Sequence, residues 1–394
     1  MIAIASRWGD RADCAGAAAA RLTEGAPVRS SRSLRRLAPV ALLGLALALA
    51  ACSDPQTTVD PKSDFADDIQ FVYLLTFWLG MAVFVGILGL TIGLAFWYRE
   101  RPGRVAKQIH GNTRLEIVWT LIPVVLVVIM AVPTWQVIAD SSKPPPDDAL
   151  RINAIGHQWW FEFQYDLNND GEFDDLITAN ELHIPAGRAV AFNLLSDDVI
   201  HSFWVPQLAG KVDMVPGHRN DVWFTPHEDA ARAEAYLGQC AEFCGTAHAN
   251  MRFRVFVDTP EGFDAWVANQ QADGAEPADD LAQMGQELFL TPVWTLPEGG
   301  GGILGCTGCH TVAGAPGAVG KIGPDLTHVG SRSTIAAGIL DTNFENLVAW
   351  ISNPDREKPG ADYNDDTARF MPAFETVLTR QQIEAIATYL LGLQ

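Results

Sequence analysis

The chain has 394 residues, 48% of them hydrophobic, with 27 Lys+Arg against 47 Asp+Glu and a net charge of -20. At roughly 100–200 residues per domain this length accommodates two or three units; the acidic balance argues against a phosphate-backbone partner, which needs Lys and Arg, and suits basic partners. Six cysteines are too few for a disulfide-dense scaffold, yet four form two close pairs, Cys240/Cys244 and Cys306/Cys309, a pattern of metal or cofactor attachment.

Charge is segregated along the chain. Residues 1–51 hold seven Arg against three acids, so residues 52–394 are more acidic than the whole-chain figure. Arg35-Arg36, an apolar run over 37–51 and the ending Leu49-Ala50-Ala51-Cys52 read as a secretory signal peptide. That ending resembles a bacterial lipobox, with a lipid anchor on Cys52 as the first mature residue; an ordinary signal with a chance Cys is the other reading. The arginine-rich lead exceeds the roughly 15–30 residues of a signal, and translation from Val28 would restore that length. Residues 71–98 and 117–139 are uncharged runs of 28 and 23 residues, each beyond the roughly 20 needed to span a bilayer as a helix. Trp78, Trp97, Tyr98, Trp119 and Trp135 supply interfacial rings near some of the ends. Arg99, Arg101, Arg104, Lys107 and Arg114 against Glu100 make the intervening loop basic and therefore cytoplasmic, so residues 65–142 form a two-helix transmembrane hairpin with both ends outside.

After Pro144-Pro145-Pro146 short alternating runs replace the apolar ones: 151–155, 159–165, 189–195, 221–225 and 251–257, separated by turn residues. They predict an all-β sandwich or barrel over 148–258. Residues 258–280 carry seven acids and no Lys or Arg; 259–280 reads as a linker with a short helix over 263–269. Residues 281–394 show helical periodicity at both ends, over 281–290 and 380–393, with glycine-rich loops between. Asp166-Leu167-Asn168-Asn169-Asp170-Gly171 matches half of a calcium loop, but Ile177 stands where a bidentate Glu is needed. A hairpin turn explains the run over 166–175 without calcium.

Within twelve residues, Cys240-Ala241-Glu242-Phe243-Cys244-Gly245-Thr246-Ala247-His248-Ala249-Asn250-Met251 offers two thiols, an imidazole and a thioether, and His201 lies upstream. This soft set suits copper: two Cys could bridge two metal ions, one His completing each, with Met251 as a weak extra ligand. Tetrahedral Cys2His2 zinc and a Cys240–Cys244 disulfide are the competing readings. With Gly156-His157-Gln158-Trp159-Trp160-Phe161-Glu162-Phe163 and His201-Ser202-Phe203-Trp204-Val205-Pro206, the hairpin and this loop resemble cytochrome c oxidase subunit II over about residues 65–258. The resemblance implies a cupredoxin fold holding the dinuclear CuA centre, two copper ions. His201, Cys240, Cys244, His248 and Met251 would ligate by side chain and Glu242 by its carbonyl, the Glu242 carboxylate reaching a Mg site shared with subunit I. Trp159 matches the aromatic residue through which electrons enter in that family; Phe161 replaces a common Trp. Glu116, at the cytoplasmic start of the second span, is an ordinary interfacial acid or, on the family reading, the mouth of a proton channel in subunit I.

Cys306-Thr307-Gly308-Cys309-His310 is the c-type haem attachment pattern. Both thiols add to the haem and His310 coordinates iron. Met371 is the one downstream Met that could be the second axial ligand. His328 is too close in sequence to His310 to reach the far face and reads as a surface or core histidine. The segment resembles all-α class I cytochrome c, departing from it in a longer stretch over 361–370. Together the parts resemble subunit II of a caa-type terminal oxidase. They imply an electron-transfer subunit that takes electrons from a basic cytochrome or a cytochrome bc complex through haem c and CuA to subunit I, where oxygen is reduced to water with proton pumping. An electron-input subunit of a related nitric oxide reductase, and a copper-delivery or scaffolding lipoprotein, are the alternatives.

Overall fold

The computed structural model describes residues 56–103, 105, 110–295, 302–360 and 371–394. The leader, Cys52, Arg104, Lys107 and the stretch 361–370 lie outside the described residues.

Helices α1 (Asp64–Trp97) and α2 (Thr113–Ser141) have 34 and 29 residues. At ~1.5 Å per residue each exceeds the ~30 Å hydrocarbon core of a bilayer. Their apolar side chains point outward all round; Trp78 is 64% and Phe84 60% exposed, which suits lipid and not water. Helix α1 starts seven residues before its uncharged run because Ser63 caps it: the Ser63 Oγ accepts from the Ala66 amide at 3.1 Å and itself donates to the Leu208 carbonyl. The Lys62 amide donates to the Gln207 carbonyl at 2.7 Å, so the helix is stitched to the β-domain at its first turn. Asn112 caps α2, and Glu116 sits in its first turn, where an acid complements the helix dipole.

Ten strands come next: β1 (Leu150–His157), β2 (Trp160–Asp166), β3 (Leu176–Ala179), β4 (Glu181–Pro185), β5 (Val190–Ser196), β6 (His201–Trp204), β7 (Val212–Met214), β8 (Asn220–Phe224), β9 (Tyr236–Cys240) and β10 (Arg252–Asp258). They form two five-stranded sheets, β3-β2-β1-β5-β8 and β4-β10-β9-β6-β7. The β1/β5 and β4/β10 pairs are parallel and the others antiparallel. Period-two alternation sorts the aromatic run: Phe161, Phe163 and Tyr165 are fully buried, while Trp160, Glu162 and Gln164 face out. The Phe161 and Phe203 rings close on Phe253 at 4.7 and 5.1 Å. Phe161 is thus a core residue, and its size is set by this cluster. In the β2–β3 loop, Asp166 accepts from the amides of Asp170 (3.1 Å) and Gly171 (3.0 Å), and Asp175 from that of Leu167 (2.7 Å). These carboxylates tie the loop backbone, which is the turn reading of the run.

Helix α3 (Pro260–Gln270) is longer than the expected 263–269, because Thr259 caps it and Pro260 fits its first turn. It lies on the sandwich, with Phe263 buried and Trp266 stacked on His183 at 4.3 Å. Burial alone would lower the His183 pKa, but the hydrogen bond with Asp258 (2.7 Å) and the ion pair with Glu181 (3.6 Å) outweigh it and raise it. A raised pKa means the folded state holds the proton more tightly. The stabilisation is therefore complete below the ordinary histidine pKa and fades as pH rises through the folded value. The thermal stability lost in His183→Asn is expected to be about 2 kcal/mol near pH ~6 and to shrink by pH ~8.5. Thermal unfolding of both proteins across that range tests this; an equal loss at both ends would refute it.

The last part comprises α4 (Asp280–Phe289), a hairpin of β11 (Val293–Thr295) and β12 (Gly302–Leu304), α5 (Cys306–Cys309), a small ladder of β13 (Thr334–Ile335) and β14 (Leu340–Asp341), α6 (Phe344–Ser352), α7 (Pro354–Glu357) and α8 (Arg380–Gly392). Helices α4 and α8 cross, and Phe289, Leu347, Ile386, Tyr389 and Leu390 close a core separate from that of the sandwich. A full capping box, Thr379 with Gln382, starts α8.

Candidate metal and cofactor sites

The first site is at one end of the sandwich. Strand β6 delivers His201 and β9 ends on Cys240; the loop to β10 returns Cys244, His248 and Met251. The two Sγ atoms are 3.7 Å apart and both cysteines are free, so they are not disulfide-bonded. His201 Nδ1 lies 3.9 Å from Cys240 Sγ; His248 Nδ1 is 3.5 Å and Met251 Sδ 3.8 Å from Cys244 Sγ. The Glu242 carbonyl is 3.2 Å from Cys240 Sγ. All six expected residues converge, with His201 and Met251 wholly buried. Each thiol has its own imidazole, and the set of soft sulfur and imidazole donors suits copper.

The electrostatics favour a thiolate here. The contact with the Cys244 thiol, with His201 adding a second, pulls the Cys240 pKa far down; the same pairing pushes the Cys244 pKa up. Burial would lower the His201 pKa, but Asp198 and Cys240 outweigh it and raise it. Asp198 Oδ1 holds His201 Nε2 at 2.7 Å, turning Nδ1 toward the sulfurs. Asp198 was not among the expected residues. Its one sequence signal is a spacing of three before His201, which is common by chance.

Trp159 is 5% exposed. Its indole Nε1 donates to the Cys244 carbonyl at 2.9 Å, and Gln158 Nε2 donates to the same oxygen at 2.9 Å.

The second site is a largely apolar cavity with about 1490 Å³ of empty space, counting its open mouth. Cys306, Cys309, His310 and Met371 all line it, together with Phe289, Leu347 and Trp350. His310 Nδ1 donates to the Pro324 carbonyl at 2.7 Å, which leaves Nε2 as the available ligand nitrogen. A Cβ on Gly323 would fall 2.6 Å from His310 Cε1, so only glycine lets the backbone cradle the ring. Burial holds His310 neutral by lowering its pKa and pushes the Cys306 thiol up to about 12. These residues fit a covalently attached haem: paired thiols, a neutral imidazole of fixed tautomer, and a thioether around one apolar cavity. His328 is buried elsewhere, its Nε2 donating to the Ala272 carbonyl at 3.0 Å.

Two long apolar helices, a sandwich with a sulfur-rich site at one end, and a helical domain around a Cys-x-x-Cys-His cavity define a membrane-anchored electron-transfer protein. Sequence-family comparison agrees: residues 57–137 match the cytochrome c oxidase subunit II transmembrane domain, 150–257 its periplasmic domain, and 282–394 cytochrome c. The chain is 35% identical to cytochrome c oxidase subunit 2 of Alkalihalophilus pseudofirmus, over 92% of this chain and 98% of that protein. It is 32% identical to cytochrome c oxidase subunit 2 of Bacillus sp. strain PS3, over 89% and 95%. A crystal structure of the periplasmic domain of cytochrome oxidase subunit II from Bradyrhizobium japonicum is 28% identical, with a TM-score of 0.28, covering 32% of this chain and 96% of that one. The chain belongs to the cytochrome c oxidase subunit 2 family and carries a C-terminal cytochrome c domain. It is therefore an electron-transfer subunit of a haem-copper terminal oxidase, with copper implied by the first domain and haem by the second.

Proposed function

We propose that electrons from an external basic donor, a cytochrome or a cytochrome bc complex, enter the cytochrome domain and pass through Trp159 and the Cys240–Met251 loop to subunit I, where oxygen is reduced to water with proton pumping. One observation carries this route. Trp159 lines the same cavity as Cys306, His310 and Met371, and its indole also donates to the Cys244 carbonyl at 2.9 Å. A single side chain thus touches both sites.

When bound, haem c and two copper ions supply one-electron redox chemistry. Cys306 and Cys309 would tether the haem, and His310 and Met371 would hold its iron. Cys240, Cys244, His201, His248, Met251 and the Glu242 carbonyl would hold the copper. The Glu242 carboxylate would reach a Mg site shared with subunit I, and Glu116 would stand at the mouth of a proton channel there. The basic loop between α1 and α2 supports a cytoplasmic turn, with both redox domains outside the plasma membrane; Leu49-Ala50-Ala51-Cys52 supports a lipid anchor on Cys52. Covalent fusion makes the meeting of the two redox domains intramolecular.

Metal analysis with visible and near-infrared spectroscopy of the purified protein tests the assignment. Expected are one c-type haem and about two coppers per chain with a near-infrared copper band. Copper at or below about one per haem would overturn the dinuclear site.

A further inference from the structure

Two stretches of the cytochrome domain close on the sandwich. At the β4/β10 edge, the Ser333 amide and hydroxyl donate to Glu181 at 2.9 and 2.7 Å. The Arg252 amide donates to the Ala337 carbonyl at 3.1 Å, and Arg254 Nη2 to the Gly338 carbonyl at 2.9 Å. At the copper loop, Asn250 Nδ2 donates to the Pro359 carbonyl at 3.3 Å and the Thr246 hydroxyl to that of Gly360. Between them, Lys358 Nζ donates to the Trp159 carbonyl at 2.6 Å.

Lys358 is the costly member of this set. It is 5% exposed, and an amine cannot be taken from water without a strong partner. Burial holds its pKa well below the ordinary lysine range, at about 7. Its acceptor lies 199 residues away, in the other domain. In a free cytochrome domain such a long side chain would reach for solvent; turning inward is favourable only when the sandwich supplies the carbonyl. Lys358 also lines the haem cavity beside Gln158, Trp159 and Trp160. The amine therefore grips the backbone of the residue whose indole touches the copper loop.

We propose that Lys358 is a positioning residue, clasping the cytochrome domain onto the copper loop through the Trp159 carbonyl and so fixing the haem cavity against Trp159. The clasp deepens the proposed electron route and rests on it for its kinetic consequence. An ångström of misplacement at a working site can cost about a hundredfold in rate, so loss of this bond is expected to slow transfer from haem to copper by about tenfold or more.

The test uses the assembled oxidase carrying Lys358→Met, which keeps the aliphatic volume, and Lys358→Gln, which keeps a shorter donor. Haem c is reduced by a flash from a soluble ruthenium photoreductant, and haem and copper bands are followed. Hydrogen exchange of the amides over 156–162 and 244–250 is measured on the same preparations. Expected are unchanged haem and copper spectra, an unchanged rate of haem reduction, a slowed haem-to-copper step and faster exchange over both segments, with Gln milder than Met. An onward rate within about twofold of wild type, with exchange unchanged, would overturn the clasp. If wild type lacks the copper band, the route fails, and the exchange comparison alone still decides whether Lys358 holds the domains together. If Met does not assemble, the Gln variant decides by the same criteria.

Discussion

Cys244→Ser is expected to abolish the near-infrared copper band and to leave about one copper or less per chain, with the haem still attached. The two sulfurs are 3.7 Å apart, each with its own imidazole nitrogen at 3.5–3.9 Å. On the proposed reading both sulfurs serve both metal ions, so removing one breaks the shared set. A serine hydroxyl is a hard, un-ionised donor near neutral pH and does not replace a soft thiolate on copper. The surrounding shell does not depend on the substituted atom: His201 stays fixed by Asp198 at 2.7 Å, and the Cys244 carbonyl still accepts from Trp159 and Gln158. The sandwich should therefore fold, and the haem cavity, whose Cys306, Cys309, His310 and Met371 do not belong to the sandwich core, should load normally. Reduced haem c that passes no electrons onward completes the expected picture. Copper-to-haem ratios of purified wild type and variant decide it. Retention of about two coppers per haem would sink the bridging arrangement.

Length and chemistry decide which features the residues disclose in advance. The spans over 71–98 and 117–139 are legible because a bilayer demands long uncharged runs; the second falls inside a helix, and the first does so but for Tyr98, the C-cap of α1. Strands β1, β2, β5, β8 and β10 are legible because alternation runs five residues or more. Strands β3, β6 and β7 have only three or four residues, too few for a period of two to stand out. Helix α3 exceeds its expected range because its first turn, Pro260-Glu261-Gly262, has no apolar residue; the cap at Thr259 marks its start. The sulfur and imidazole residues are readable because few other chemistries use them at that spacing. Asp198 and Lys358 are not. Both are common surface residue types, and their roles arise from contacts over distances in sequence that no local pattern records: Asp198 also accepts from the Gln158 amide, 40 residues away, and Lys358 reaches across 199. Phe161, set beside a family Trp in the aromatic run, is a core position, and only the pleat of β2 decides that.

Gly285→Ala is expected to destabilise the cytochrome domain by about 2 kcal/mol, although helix propensity points the other way. In a free helix alanine would stabilise by about 1 kcal/mol over glycine. Gly285, however, sits where α4 crosses α8. A Cβ there would press on the carbonyl oxygen of Ala385, lie 2.6 Å from its carbonyl carbon and 2.9 Å from Tyr389 Cβ. A flexible side chain could swing aside; a helix backbone cannot, so the two helices must separate. Separation loosens the Phe289–Tyr389 contact, now 5.7 Å between centroids, and the packing of Ile386 beneath it. Overpacking costs about 1–3 kcal/mol, and contact with backbone belongs at the upper end, so packing outweighs propensity. At roughly 4–8 °C per kcal/mol for a domain near this size, the thermal midpoint followed at the haem absorption should fall by about 8–16 °C. The midpoint followed at the copper band should move much less, because the sandwich core contains neither helix. Phe289 and Leu390 line the haem cavity from these same helices, so the loosened crossing should also loosen the cavity wall they form. A haem-band midpoint that is unchanged or raised would mean that the crossing has room for a methyl group, and the close packing of α4 on α8 would be wrong.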